Sequence, residues 1–127
     1  MSFVSQSVIQ AIINLHPISD FCLIEHFNPK CGMNEIIVMI EAKFGRMKLS
    51  RCLYEDRREL GCHDNILELF DDMCFGKQSC DILVGANDMG SASTCSKGLL
   101  QYLEADYSCR KGMLESVVHI SDKTKNK

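Results

Sequence analysis

The chain has 127 residues, 46% of them hydrophobic and 24% charged, with a formal net charge of -3. That fits one globular domain with a modest core, and the weak charge, with no basic stripe, argues against a nucleic-acid partner. No apolar run approaches the ~20 residues of a membrane-spanning helix, so membrane insertion by this segment is not expected.

Residues 1–20 read as a flank or linker. Val4, Val8, Ile12 and Leu15 fall at helical spacing, and Pro17 would end such a helix. Its polar face lacks Lys and Arg, which favours a linker, or a helix packed elsewhere in a longer chain, over lipid binding. The same stretch makes a poor signal peptide, because it opens without Lys or Arg and Gln6, Gln10 and Asn14 interrupt its apolar run. The expectation is a piece of a longer secreted or membrane protein. No N-x-S/T sequon occurs, so N-glycosylation is not expected.

Next, "NEIIVMIEAKFGR", 34–46, predicts a strand buried on both faces at its start and on one face at its end, broken at Gly45. Residues 47–61 mix charges of both signs and read as a solvated loop. "DNILELFDDMC", 64–74, predicts a helix with Asn65 as N-cap and Glu68 completing a capping box. "FGKQSC" turns the chain through Gly76, "CDILV" is a short strand, and "GANDMGSASTC" is a loop of turn-forming residues. "KGLLQYLEADYSC", 97–109, reads as the last strand, with Leu99, Gln101, Leu103, Ala105 and Tyr107 on one face. The polar tail, 111–127, ends in "KTKNK".

The eight cysteines are 22, 31, 52, 62, 74, 80, 95 and 109. None lies in a C-x-x-C pair, which argues against zinc and gives no metal site. An even count fits four disulfides and an oxidising, extracellular setting. Eight cysteines allow 105 pairings, and spacing alone does not choose among them. Cys62 beside His63 resembles a nucleophile and base only superficially, since adjacent side chains rarely meet productively and a paired cysteine is no thiolate. No enzyme activity and no cofactor are expected.

Several local motifs stand in register with these cysteines: C-x8-C at Cys22 and Cys31, "AKFGR" before Cys52, "MCFGKQSC", and "QYLEADYSC" after Cys95. Together they resemble the galactose/rhamnose-binding lectin domain, also called the SUEL-type lectin domain, over residues 22–109. The family pattern runs approximately A-N-Y-G-R, then R-C-x-G-K-x-x-C, then F-G-D-P-C-x-G-T-Y-K-Y-L-x-V-x-Y-x-C. The resemblance implies an α+β fold, a small disulfide-stapled domain of antiparallel sheet with a few helices, spanning residues 21–110. It also implies the pairs Cys22–Cys52, Cys31–Cys109, Cys62–Cys95 and Cys74–Cys80.

The sugar-contacting set that the resemblance implies falls on Phe44, Asn87 or Asp88, Ser93, Gly98 and Gln101. Phe44 stands where the family has Tyr, Ser93 where it has Asp, and Gln101 where it has Lys. A family Glu after the first cysteine is Leu23 here. Gly98 is reached only with one inserted residue. The expected role is noncatalytic, extracellular or cell-surface recognition of a galactose- or rhamnose-like glycan through a modified pocket. The alternative is a module that binds an extracellular protein partner after losing sugar binding. The residues that keep the pattern have structural readings: Gly45 as a turn, Arg46 as a brace paired with a carboxylate, and Phe75–Gly76 as hairpin chemistry.

Overall fold

A computed structural model of the chain describes residues 19–86, 89 and 94–112. The expected flanking helix, and the tail beyond Gly112, lie outside the described residues. Strand β1 is Ser19–Phe21, β2 His26–Phe27, β3 Glu35–Arg46, β4 Cys62–Asn65, β5 Ile82–Leu83 and β6 Tyr102–Lys111, with helix α1 at Leu67–Cys74 between β4 and β5. A four-stranded antiparallel sheet has the order β1-β6-β3-β4, and β2 pairs with β5 in a second, two-stranded one. The fold is the expected α+β class. The sheet takes in Ser19 and Asp20, which pair with Ala105 and Glu104, and Lys111, which pairs with Glu35.

The β3–β6 ladder is the frame. It runs from Glu35 opposite Lys111 to Gly45 opposite Tyr102, with a bulge between Met39 and Glu41. A bulge inserts one residue and reverses which side chains face the core. Ile37 and Met39 point inward before it, Ala42 and Phe44 after it, and Ile40 is left half-exposed. The expected burial on both faces at the start of the strand is not found, since Glu35, Ile36 and Val38 are only partly buried. The end of the strand is the more enclosed part, with Phe44, Gly45 and Arg46 all buried.

Gly45 does not break the strand; β3 continues through Arg46. The glycine is needed because β4 passes too close for a side chain: a Cβ there would lie 2.4 Å from the Cys62 carbonyl oxygen and 2.6 Å from His63 Cα. Helix α1 also starts later than its pattern predicts. Asp64 and Asn65 are drawn into β4 against Phe44 and Lys43, and Ile66 is the N-cap without a side-chain bond. Asn65 still accepts a hydrogen bond from Leu67 N–H at 3.0 Å. Phe70 and Cys74 on this helix join Phe27, Ile37, Phe44, Ile82, Val84, Met89 and Leu103 in the main core.

Strand β6 starts at Tyr102, so Leu99, Leu100 and Gln101 belong to the loop before it. Its first five residues are buried, because both of its faces are covered. Leu103 and Ala105 enter the main core, while Tyr102 packs with Cys52 and Leu53 in a second cluster. Segment 47–61 is therefore not simply a solvated loop: it carries a 3-10 turn at Arg51–Leu53 that covers β6. All eight cysteines are paired, as Cys22–Cys52, Cys31–Cys109, Cys62–Cys95 and Cys74–Cys80, the same pairs that the resemblance implies.

Candidate functional site

At the end of β3 the buried Arg46 side chain reaches across two loops. Its guanidinium donates to the carbonyls of Arg58 at 2.8 Å, Asp56 at 3.0 Å and Leu100, and lies 3.4 Å from the Asp56 carboxylate. Arg suits this position because its planar fork offers several donors in fixed directions. The expected brace is real, but its main partners are carbonyls. Loop 54–61 and loop 94–101 are thereby fixed to one another and to the sheet.

Three further links close the same rim. Cys62–Cys95 ties loop 94–101 covalently to the start of β4, directly after loop 54–61. Ser96 N–H donates to Glu59 Oε1 at 3.1 Å, and Thr94 Oγ1 donates to the His63 carbonyl at 3.2 Å. The carboxylates of the rim are held ionised. Arg58 and its own N–H bind Asp56 and hold it far below the usual carboxylate range, and Ser96 lowers Glu59. Across β6, the Tyr102 hydroxyl donates to the Lys48 carbonyl at 2.9 Å; burial pushes its pKa up.

The expected ligand residues divide into three groups. Gly98 and Gln101 both lie on the latched loop; Gly98 is exposed with φ 90, a conformation that glycine adopts freely, and Gln101 is half-buried. Phe44 is 6% exposed and belongs to the core. Its cross-strand partners are Asp64 on β4 and Leu103 on β6. Asn87, Asp88 and Ser93 lie outside the described residues, between Gly85, whose N–H donates to the Leu23 carbonyl at 2.7 Å, and Thr94. Leu23 is half-buried and packs on the core.

Two features were not legible from sequence. Asp64 Oδ2 is buried with no hydrogen-bond partner among the described residues, across the ladder from Phe44, which carries no hydroxyl. Glu25, two residues after Leu23, is turned away onto Arg51 at 2.7 Å and the Cys22 N–H at 2.8 Å. That contact lowers the Glu25 pKa and raises that of Arg51. The sulfurs of Cys22 and Cys52 lie within 4.8 Å of a Glu25 oxygen, but both are spent in a disulfide, so the group is no metal site. Cys62 is likewise disulfide-bonded and is no nucleophile. A groove of about 360 Å³ runs along Ser19, Phe21, Phe27, Ala105, Asp106 and Tyr107, and shares no residue with the expected sugar set.

Residues 29–109 match the family described as the D-galactoside/L-rhamnose binding SUEL lectin domain. The chain belongs to this lectin family. The matched span holds every cysteine of the lectin domain except Cys22, and Cys22 is joined to the span through Cys52. No curated protein gives a match. The family is one of carbohydrate-binding domains, and in this lectin domain the latched rim carries two of the expected positions, Gly98 and Gln101. No described helix is long and apolar enough to cross a membrane.

Proposed function

We propose that the chain is a noncatalytic, extracellular carbohydrate-recognition domain of galactose/rhamnose type whose pocket is modified, so that it binds these sugars weakly. The observation that carries this reading is the family match over residues 29–109 together with a disulfide frame that fixes the loop of Gly98 and Gln101. Weak binding follows from the replacements. Sugar hydroxyls donate and accept, so carboxylates, Lys and Tyr are the useful partners. Leu23, Phe44, Ser93 and Gln101 stand at positions of Glu, Tyr, Asp and Lys. A hydrogen bond to a charged group contributes about 1.5–3 kcal/mol, so losing two carboxylates and one lysine removes roughly 4 kcal/mol or more, near a thousandfold in affinity. Ser93 and Gln101 still offer polar contacts, which favours weak binding over none.

A second reading is a protein-recognition module on the same fold. It is favoured by Leu23 and Phe44, which are not only apolar but packed on or in the core. Calorimetric titration with D-galactose and L-rhamnose separates the two. The parent is expected to bind weakly, and the variant carrying Ser93→Asp and Gln101→Lys more tightly. Leu23→Glu and Phe44→Tyr are then added singly, because each places polar atoms against apolar neighbours and has a stability cost of its own. Binding by neither the parent nor any variant would favour the protein-recognition reading.

A further inference from the structure

Loop 54–61 contains most of the positive-φ non-glycine backbone among the described residues. Four non-glycine residues have positive φ among those described: Asn34 at 63°, Tyr54 at 50°, Glu55 at 66° and Glu59 at 49°. Asn tolerates this region, but for a bulky side chain it is an outlier. Tyr54, with φ 50 and ψ 52, sits in the left-handed region that glycine occupies without strain. The surroundings enforce it. Cys52, two residues before, is tied to Cys22, and the neighbouring Leu53 is buried. Asp56 N–H then donates to the Leu53 carbonyl at 3.0 Å, and Arg46 holds the Asp56 carbonyl.

The strained turn presents its ring to solvent. Tyr54 is 76% exposed, and it is the one exposed aromatic residue among those described. Backbone strain persists only where the surroundings over-determine it, and it clusters where a ligand is contacted. Tyr54 also belongs to the loop that Arg46 ties to the loop of the expected sugar wall. The same guanidinium binds the carbonyls of Asp56 and Leu100, placing Tyr54 two residues from one bond and Gln101 one residue from the other. Leu60 and Leu100, both partly exposed, add apolar surface to these two loops.

We propose that Tyr54 is an aromatic platform for the second sugar ring of a glycan whose terminal ring occupies the Gly98–Gln101 wall, which rests on the carbohydrate-recognition reading above. The electron-rich face of an aromatic ring attracts polarised C–H groups, and one face of a pyranose ring presents a row of them. A phenol on a fixed turn offers that face with little entropy left to lose. The domain therefore recognises extended glycans better than free monosaccharides, and the loss of polar contacts in the terminal pocket is partly offset by the platform.

The test is titration of the parent, Tyr54→Gly and Tyr54→Phe with D-galactose, L-rhamnose, and galactose- or rhamnose-terminated di- and trisaccharides, with a melting curve for each protein. The parent is expected to bind at least one extended glycan about fivefold more tightly than its terminal monosaccharide. Tyr54→Gly removes that gain and melts at or above the parent temperature, since glycine relieves the strain; Tyr54→Phe keeps the gain. Absence of any gain in the parent overturns the proposal alone, as does a gain that survives Tyr54→Gly. A lower melting point with equal loss for short and long sugars marks Tyr54 as structural and also overturns it. Failure of every sugar to bind the parent overturns the underlying carbohydrate reading as well.

Discussion

The β3–β6 ladder and the Arg46 rim touch at Gly45 and Arg46, yet different forces hold them. The ladder is a run of antiparallel backbone pairs backed by Ile37, Met39, Ala42, Phe44, Leu103 and Ala105. The rim has few buried apolar side chains of its own. It is held by Cys62–Cys95, one buried guanidinium on three carbonyls, and carboxylates bound to N–H, hydroxyl and guanidinium donors. Small domains bury too little apolar surface to fix every loop by packing alone. Here the packed part is the frame, and the covalently and electrostatically fixed part carries two of the expected positions, Gly98 and Gln101.

Reduction should break this comparison most completely. A native disulfide typically stabilises a small domain by about 2–4 kcal/mol and at most about 5, against a total of about 5–15. Thermal unfolding followed by circular dichroism, with and without reductant, should show a much lower melting temperature for the reduced protein. The pairs should also rank. In the chain-entropy account, Cys31–Cys109, with a sequence separation of 78, contributes about 4.5 kcal/mol and Cys74–Cys80, separated by 6, about 2.2. Paired Cys→Ala variants measured in denaturant test that order.

Next in size is Arg46→Ala. It takes a donor from the Arg58, Asp56 and Leu100 carbonyls while the Asp56 carboxylate keeps its bonds to Arg58, and since an acceptor left unpaired costs about 1–3 kcal/mol, a loss of about 3 kcal/mol or more is expected. Ile37→Val, in the ladder, removes one methylene and costs about 0.5–1.5 kcal/mol. Hydrogen exchange should locate the difference: Arg46→Ala exposes amides in 54–61 and 96–101 while the ladder stays protected. Equal loss of protection in ladder and rim would mean that the two are one cooperative unit.

Acid should produce the smallest effect, again on the rim. Asp56 and Glu59, and Glu25 near the first disulfide, have folded-state pKa values below their ordinary ones. The unfolded chain therefore takes up protons first. The stability from these groups is complete above the ordinary carboxylate range, near pH 4, and is lost as pH falls through the lower folded values. Exchange in 54–61 should rise on going from pH 6 to pH 2.5, after correction for intrinsic rates, more than in β3. An unchanged rim would contradict the electrostatic part of the account.

Much of the frame was legible because it obeys periodicity. β3, α1 and β5 each fall within the stretches that their patterns mark, and the cysteine register carries the pairing through the family resemblance. The departures have physical causes. The bulge after Met39 reverses the inward face, and no local signal in "VMIEAK" announces it. Gly45 reads as a breaker in isolation, but the demand for glycine comes from β4, far along the chain. Asn65 is a good cap by composition, yet tertiary pairing with Lys43 keeps it in a strand. In the rim, "FGR" was recognisable while the carbonyl partners of Arg46 were not, since carbonyls leave no trace in side-chain identity. Tyr54 was invisible for the same reason: its interest lies in a dihedral angle and an exposure.

The central claim is that this lectin domain recognises sugar weakly at the latched rim. It is tested most directly by titrating D-galactose and L-rhamnose into isotopically labelled protein and following every backbone amide by NMR. The account predicts fast-exchange shifts at millimolar sugar, concentrated on Gly98, Leu99, Leu100, Gln101 and neighbouring amides of loop 94–101, with β2, β5 and the bulge region of β3 unmoved. Shifts confined to other surfaces, or none with either sugar up to tens of millimolar, would contradict it.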